Sequence, residues 1–552
     1  MKRFSSVFLP TCMMVILSIM GLALAGCCCP LPGLLAGESG VASPSAAPAT
    51  PALGRPTATR VQSQPEDTPT LRPASPSPQP ASVSTPAVDL QDLALYQPAL
   101  RPEFAADVEA APGATRYFIQ VSLDPDQPAS LSGVERVRYT NTESLALEDL
   151  YFRLYPNLPH YGGWMTVEGV MLNDAPVETA LEAEGSALRV PLEPPLEPGA
   201  VADLTLWFQE TLPTHAEAGY GLYAYADQVY ALAGFYPTIP VYDDEGWNVE
   251  VAPAYGDATF TDVAFYQVRL TVPAKLTVVS SGTTLDVVEE ADGTRTWVAV
   301  GGPMRDFYVA MSAGYQVVSQ EVDGTRINSY YRSGQAPGGE LALSYAVDAL
   351  RLFEAQLGDY PYAELDVVAT PTTAGGIEYP GAIVVAQTLY DEEGGYLELV
   401  IAHEVAHQWW YGLVGNDQLD EPWLDEALTN YSAYLYYEET SGRARADFIK
   451  ERVFEAAYQA AQQEGRDRGV GGPVAGFSEP AYTEIVYGKG PLFFGALRTQ
   501  LGEDAFLSGL QAYLEAHRYG VAYPEDLVAA FEEASGQQID DLYRFWILGQ
   551  PE

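Results

Sequence analysis

The sequence predicts a multidomain α+β protein. An antiparallel β-sandwich or saddle domain covers about residues 93–318, and a mainly helical domain with a small sheet covers 319–552. Three observations carry this expectation. Apolar residues recur at every second position in the first region, as at Tyr117, Ile119, Val121 and Leu123. In the second region they recur at helical spacing, as at Ala346, Leu350, Phe353 and Leu357. A chain of 552 residues is also too long for one small core.

The first 92 residues stand apart from both regions. Lys2 and Arg3 precede an apolar run that ends at Leu24-Ala25-Gly26-Cys27, the pattern of a signal peptide over 1–26. The run is short and is broken by Pro10 and Thr11, which argues against a membrane-spanning anchor. Leu-Ala-Gly-Cys resembles a bacterial lipobox, which implies cleavage before Cys27 and lipid on its sulfur. The expectation is therefore an extracytoplasmic, cell-envelope lipoprotein tethered to a bacterial membrane. Residues 27–92 are rich in Pro, Ala, Ser and Thr and cannot bury enough apolar surface to fold. Such a tether of about 60 residues reaches roughly 40 Å as a coil and about 180 Å fully extended.

All four cysteines, Cys12, Cys27, Cys28 and Cys29, fall in this leading segment. The folded region thus offers neither a disulfide nor a thiolate ligand. Over the whole chain, 28 Lys+Arg against 74 Asp+Glu give a net charge of −46, which leaves no basic footprint for nucleic acid. The same balance disfavours adhesion to anionic lipid headgroups.

In the β region the alternation repeats at Leu150, Phe152 and Leu154 and at Tyr266, Val268, Leu270 and Val272. Asp292-Gly293 and Asp323-Gly324 lie between strand-like runs and predict tight hairpins. His160 and His215 are isolated there and read as surface or packing residues. In the helical region a first helix should stop at Gly358. A strand pair follows at 365–369 and 382–386, flanking the turn Gly375-Gly376-Ile377-Glu378-Tyr379-Pro380-Gly381. Two further helices are expected, from about Tyr396 to Tyr411 and from about Trp423.

The first of these two helices carries His403-Glu404-Val405-Ala406-His407, and the second carries Glu426 in its first turn. Histidines four apart lie one turn apart on the same helix face, which suits two ligands of one tetrahedral zinc ion. Glu404 is then placed to act as general base on a water at the metal. A third ligand is needed, and Glu426 supplies a carboxylate. With only 5 His and 74 acids in the chain, such a string has roughly 0.006 expected occurrences by chance.

His403-Glu404-x-x-His407 with Glu426 in Trp-Leu-Asp-Glu resembles the gluzincin zinc metallopeptidases, and specifically the aminopeptidase N family. Gly375-Gly376-Ile377-Glu378-Tyr379 is similar to that family's Gly-x-Met-Glu-Asn motif. Val486-Tyr487-Gly488-Lys489-Gly490 is similar to its segment bearing a catalytic tyrosine. The resemblance implies a thermolysin-like catalytic domain, one Zn2+ per chain and peptide substrates. It implies that Tyr487 steadies the oxyanion, with Tyr482 as the nearest rival. It also implies that Glu378, with Gly375 and Gly376, holds the substrate's free amine, and that the strand after it pairs with the substrate backbone.

Three departures accompany the resemblance. Ala231-Leu232-Ala233-Gly234-Phe235-Tyr236-Pro237 stands where the family has a second amine anchor, and that anchor is not placed. Ile377 and Tyr379 replace Met and Asn. The sequence stops soon after the helical region, where many relatives continue into a large helical domain, and the expectation is a short form with a less enclosed cleft. A zinc endopeptidase, or another gluzincin hydrolase on the same scaffold, is the alternative reading. A non-catalytic zinc-containing binding lipoprotein is the third. No protein partner is inferable.

Overall fold

The computed structural model describes residues 89–391 and 395–550. The expected signal peptide, the lipidated Cys27 and almost all of the tether lie outside the described residues.

The alternating residues of the first region build an eight-stranded sheet. At its centre Thr115–Leu123 pairs with Ala264–Pro273, and the register sets Tyr117, Ile119 and Val121 beside Tyr266, Val268 and Leu270. Both alternating sets therefore bury the same face, and the Tyr117 and Tyr266 rings stack with centroids 5.3 Å apart. This central pair is parallel, whereas its neighbours are antiparallel. The expected all-antiparallel sheet is corrected at that pair. A parallel pair cannot be joined by a tight hairpin, and here the chain builds four more strands of the same sheet and a three-stranded sheet before returning. Asp292-Gly293 turns the hairpin between Thr283–Glu289 and Thr294–Met304. Asp323 and Gly324, at φ 49° and 94°, turn the next one. Positive φ at both central residues matches the strand twist, which is why Asp-Gly marks such turns.

That second hairpin belongs to the catalytic half. Tyr315–Val322 and Thr325–Arg332 start a five-stranded sheet that continues through Glu364–Thr370 and Ala382–Ala386 to a short edge, Gly376–Ile377. The expected boundary between 318 and 319 falls inside the first of these strands, so the sheets part company a few residues earlier. Helix α1 (Ala336–Gln356) makes the crossover between the parallel strands Thr325–Arg332 and Glu364–Thr370. Ala382–Ala386, expected to offer a free edge, is instead paired on both sides. The edge strand at this end of the sheet is Gly376–Ile377, whose residues are buried.

Helix α2 (Tyr396–Ala406) and helix α3 (Trp423–Ser441) follow. Every residue of α2 from Leu399 to Ala406 is buried, as its nearly all-round apolar sequence requires. Helix α2 ends at Ala406, five residues before the expected end at Tyr411, and His407 caps it.

Arg305 fastens the β half to the helical half. Its buried guanidinium donates to the carbonyl oxygens of Thr261 and Tyr411, each at 2.8 Å, and to that of Gly520. Gly415 has to be glycine there, because a Cβ would collide with the guanidinium.

The β half also buries an acid. Glu210 accepts a hydrogen bond from Tyr223 at 2.5 Å, and burial pushes its carboxyl up to about 8 against 4.5 for an exposed glutamate. The folded state thus binds a proton that the unfolded chain releases. This contribution to stability is full below about 4.5 and is lost as pH rises to about 8. Glu210→Gln should therefore gain thermal stability relative to the parent as pH goes from 5 to 8.5. A melting-temperature difference that stays flat across that window would contradict the protonated assignment.

Candidate active site

The close packing of α2 against α3 converges three side chains. His403 Nε2 and His407 Nε2 lie 3.1 Å apart. Glu426 Oε2 lies 3.3 Å from the first and 3.5 Å from the second. Four ligands at zinc bond lengths of about 2.0–2.1 Å define a tetrahedron with edges of about 3.3 Å. The triangle therefore fits one face of a zinc tetrahedron. The donor chemistry agrees with the geometry. Burial pushes the Glu426 carboxyl up, but the two imidazoles more than offset this and hold it well below the ordinary carboxylate range. An ionised carboxylate facing two imidazole nitrogens is a cation's donor set.

The orientation of His407 is fixed from behind. Its Nδ1 lies 2.9 Å from the carbonyl oxygen of Trp410, which makes Nδ1 a donor there and aims Nε2 at the centre. Thr429 Oγ1 approaches the same nitrogen at 3.2 Å.

Glu404 is buried beside the centre and lies against the edge strand. A Cβ on Gly376 would overlap Glu404 Oε1, so this glycine is what gives the general base its room. The carbonyl of Gly375 accepts from the amide of Ala386 at 2.9 Å, which extends the edge pairing by one residue. Donor atoms of Glu378, Glu404 and His407 all lie within 4.8 Å of one another. Glu378 thus stands directly beside Glu404 and His407. Burial pushes its carboxyl up, a shift that His407 opposes and Glu426 reinforces.

Tyr487 lies in a π-helical turn, Thr483–Lys489. Its hydroxyl donates to Glu426 Oε1 at 2.5 Å, and its ring centroid is 6.4 Å from that of His403. Tyr482, the rival, packs behind it at 5.6 Å, edge to face. Of the two, Tyr487 has its hydroxyl on Glu426. π-Turns concentrate at functional sites because the extra residue re-aims a side chain. Here Gly488 allows that turn to pack tightly, since a Cβ would crowd Ala457 at 2.8 Å. Buried Lys489 ties the end of the turn to Asp467 at 2.7 Å.

Two glutamines went unnoticed in the sequence. Gln408 directly follows the second histidine and accepts from the amide of Gly381 at 2.8 Å. Its own amide reaches the carbonyls of Glu378 and Tyr379 at 3.3 and 3.4 Å. It thereby hangs the Glu378 turn from the end of the zinc helix. Gln418 donates to Glu378 Oε1 at 2.9 Å and to Asp425 Oδ2 at 2.8 Å. Nothing in their spacing marks either residue; adjacency to His407 was the one available signal for Gln408. His160, expected at the surface or in packing, lines a small cavity shared with Glu378.

The Peptidase family M1 domain matches over residues 341–546, a span that holds the two histidines, Glu426, Glu404, Glu378, Tyr487 and both glutamines. Residues 341–546 are a peptidase family M1 domain. The M1 domain is of the aminopeptidase N-like gluzincin type. The chain is 26 % identical over 364 residues to Aminopeptidase M1-B of Oryza sativa subsp. japonica, covering 57 % of this chain and 38 % of that protein. It is 28 % identical over 299 residues to Aminopeptidase M1 of Arabidopsis thaliana, covering 51 % of this chain and 34 % of that protein. The chain thus spans little more than a third of the curated relatives it matches. In fold it is similar to an M1 zinc metallopeptidase from Deinococcus radiodurans. The TM-score is 0.62 at 20 % identity, over 80 % of this chain and 94 % of that one. The shared fold includes both the β half and the M1 domain.

The cradle around Glu404 gives a direct test. Gly376→Ala should lower kcat by about a hundredfold or more by displacing the base, while elemental analysis still finds one zinc per chain. Unchanged turnover in that variant would remove Gly376 from the site.

Proposed function

We propose that this protein is a zinc-dependent aminopeptidase that hydrolyses the first peptide bond of peptides bearing a free N-terminus. The observation that carries the reading is the closeness of Glu378 to Glu404 and His407, with donor atoms within 4.8 Å of one another. Within one residue the amine nitrogen and the carbonyl carbon are about 2.5 Å apart. A carboxylate so near the hydrolytic groups leaves room for a single residue between a bound ammonium and the scissile carbonyl. An internal or acetylated residue offers no charge and would leave Glu378 buried and unpaired.

His403, His407 and Glu426 would hold the zinc, which supplies Lewis-acid polarisation of the carbonyl and lowers the pKa of a coordinated water. The remaining work belongs to the side chains. Glu404 takes the proton of the attacking water and passes it to the leaving amine. Tyr487 turns its hydroxyl from Glu426 toward the carbonyl oxygen as charge builds there. The edge Gly376–Ile377 pairs with the extended substrate backbone, and Gln418 keeps Glu378 aimed.

Localisation at the cell envelope through lipid on Cys27 is also proposed, supported by Leu24-Ala25-Gly26-Cys27 and the tether that follows. Cys27→Ser should abolish incorporation of labelled fatty acid; retained label would reject that anchor.

Hydrolysis of a free-amine peptide should exceed that of its N-acetylated twin by at least a hundredfold. Equal rates would instead point to a zinc endopeptidase on this scaffold. Tyr487→Phe should reduce kcat by about 10²–10³ with little change in KM, read from steady-state kinetics. Glu404→Gln should be inactive with zinc retained.

A further inference from the structure

The space beside Glu378 does not end there. One small cavity of about 30 Å³ is lined by His160, Tyr161, Asp257, Glu378, Tyr379 and Tyr411. A second, of about 20 Å³, is lined by Tyr155, Tyr161, Tyr236, Tyr379 and Asp306. The two share Tyr161, Thr259 and Tyr379, so they adjoin one another, and a small movement of those side chains would join them into one narrow channel. Each has room for one or two waters. The channel begins at one buried carboxylate, Glu378, and ends at another, Asp306, with tyrosine rings between.

A chain of hydrogen bonds runs alongside. Gln418 donates to Glu378, and Thr259 donates to Gln418 at 2.8 Å. Thr259 meets the Tyr411 hydroxyl at 3.5 Å, and Tyr411 donates to Asp306. Tyr411 sits at φ 107°, unusual for a bulky residue, and Arg305 grips its carbonyl oxygen at 2.8 Å. That grip holds the Tyr411 ring against the channel wall.

The charge at the far end is not neutralised by the protein. The three hydrogen bonds of Arg305 all go to carbonyl oxygens, none to Asp306. Burial first, and repulsion from Glu378 second, push Asp306 up to about 7, with Arg305 only partly opposing them. His160 cannot supply a cation, because burial lowers its pKa below that of an exposed histidine. A narrow aromatic sleeve closed by an acid fits an unbranched chain of methylenes that ends in a positive charge.

Resting on the aminopeptidase reading, we propose that this channel receives the side chain of the substrate's first residue and selects lysine or arginine. The α-ammonium would meet Glu378, the methylenes would lie between Tyr161 and Tyr379, and the terminal cation would pair with Asp306. Norleucine matches the lysine chain without its charge and would leave that buried carboxylate with its tyrosine hydrogen bond but no cation.

Titration calorimetry on the full, zinc-loaded Glu404→Gln protein tests this without turnover, using lysinamide, norleucinamide and Nα-acetyl-lysinamide. Lysinamide should bind at least tenfold more tightly than norleucinamide, and Asp306→Asn should erase that ratio. Equal binding of the two amides to the parent overturns the proposal, whatever the fate of the variant. So does a ratio that survives Asp306→Asn in a variant whose melting temperature is unchanged. If acetyl-lysinamide binds as well as lysinamide while lysine is still preferred over norleucine, the channel stands and the amine-anchor reading falls.

Discussion

The helical half depends on one packing event, the contact of α2 with α3. It brings two imidazoles and a carboxylate to within 3.1–3.5 Å of one another in the core. Burying these groups is unfavourable unless they are mutually satisfied. The surroundings therefore consist of groups that fix orientation: the Trp410 carbonyl and Thr429 behind His407, and the Tyr487 hydroxyl on Glu426. Both helices are buried along most of their length, so the ligands stand on rigid elements.

Around that core the site is assembled from backbone placed unusually close. Gly376 brings an edge strand against the base, and Gly488 lets a π-turn pack closely enough to present Tyr487. Gln408 then hangs the Glu378 turn from the residue next to a metal ligand. The His403–His407–Glu426 triad, Glu404 and Glu378 thus share one local frame. A small error in any of them would be felt by the others, because the hydrolytic groups work only within a few tenths of an ångström of their productive geometry.

Much of this was readable from residue order. The period-two runs at Tyr117 and Tyr266 located both central strands, since a strand that buries one face must alternate. The ligand triad was legible because metal chemistry demands particular residue types at a particular helical spacing. Relations between distant segments were less accessible. Nothing local says that Thr115–Leu123 and Ala264–Pro273 run parallel, or that Ala382–Ala386 is covered on both sides while Gly376–Ile377 is the edge. Gln408 and Gln418 escaped notice for the same reason, and His160 was read only as a surface or packing residue. A glutamine or a lone histidine has no spacing rule, and its role appears only once the turn it touches has been placed.

Arg305 carries a consequence for how substrate enters. One guanidinium joins the carbonyls of Thr261, in the β half, to those of Tyr411 and Gly520, in the helical half. Prising the halves apart would strand the carbonyls of Tyr411 and Gly520 and leave a buried cation short of two acceptors, a cost of several kcal/mol. A clamshell opening between them is therefore disfavoured. Peptides would reach the centre through motions of side chains and short loops, and release of the first residue would be gated by rings such as Tyr161 turning aside. The protein is better pictured as a fixed block with a narrow socket than as two jaws.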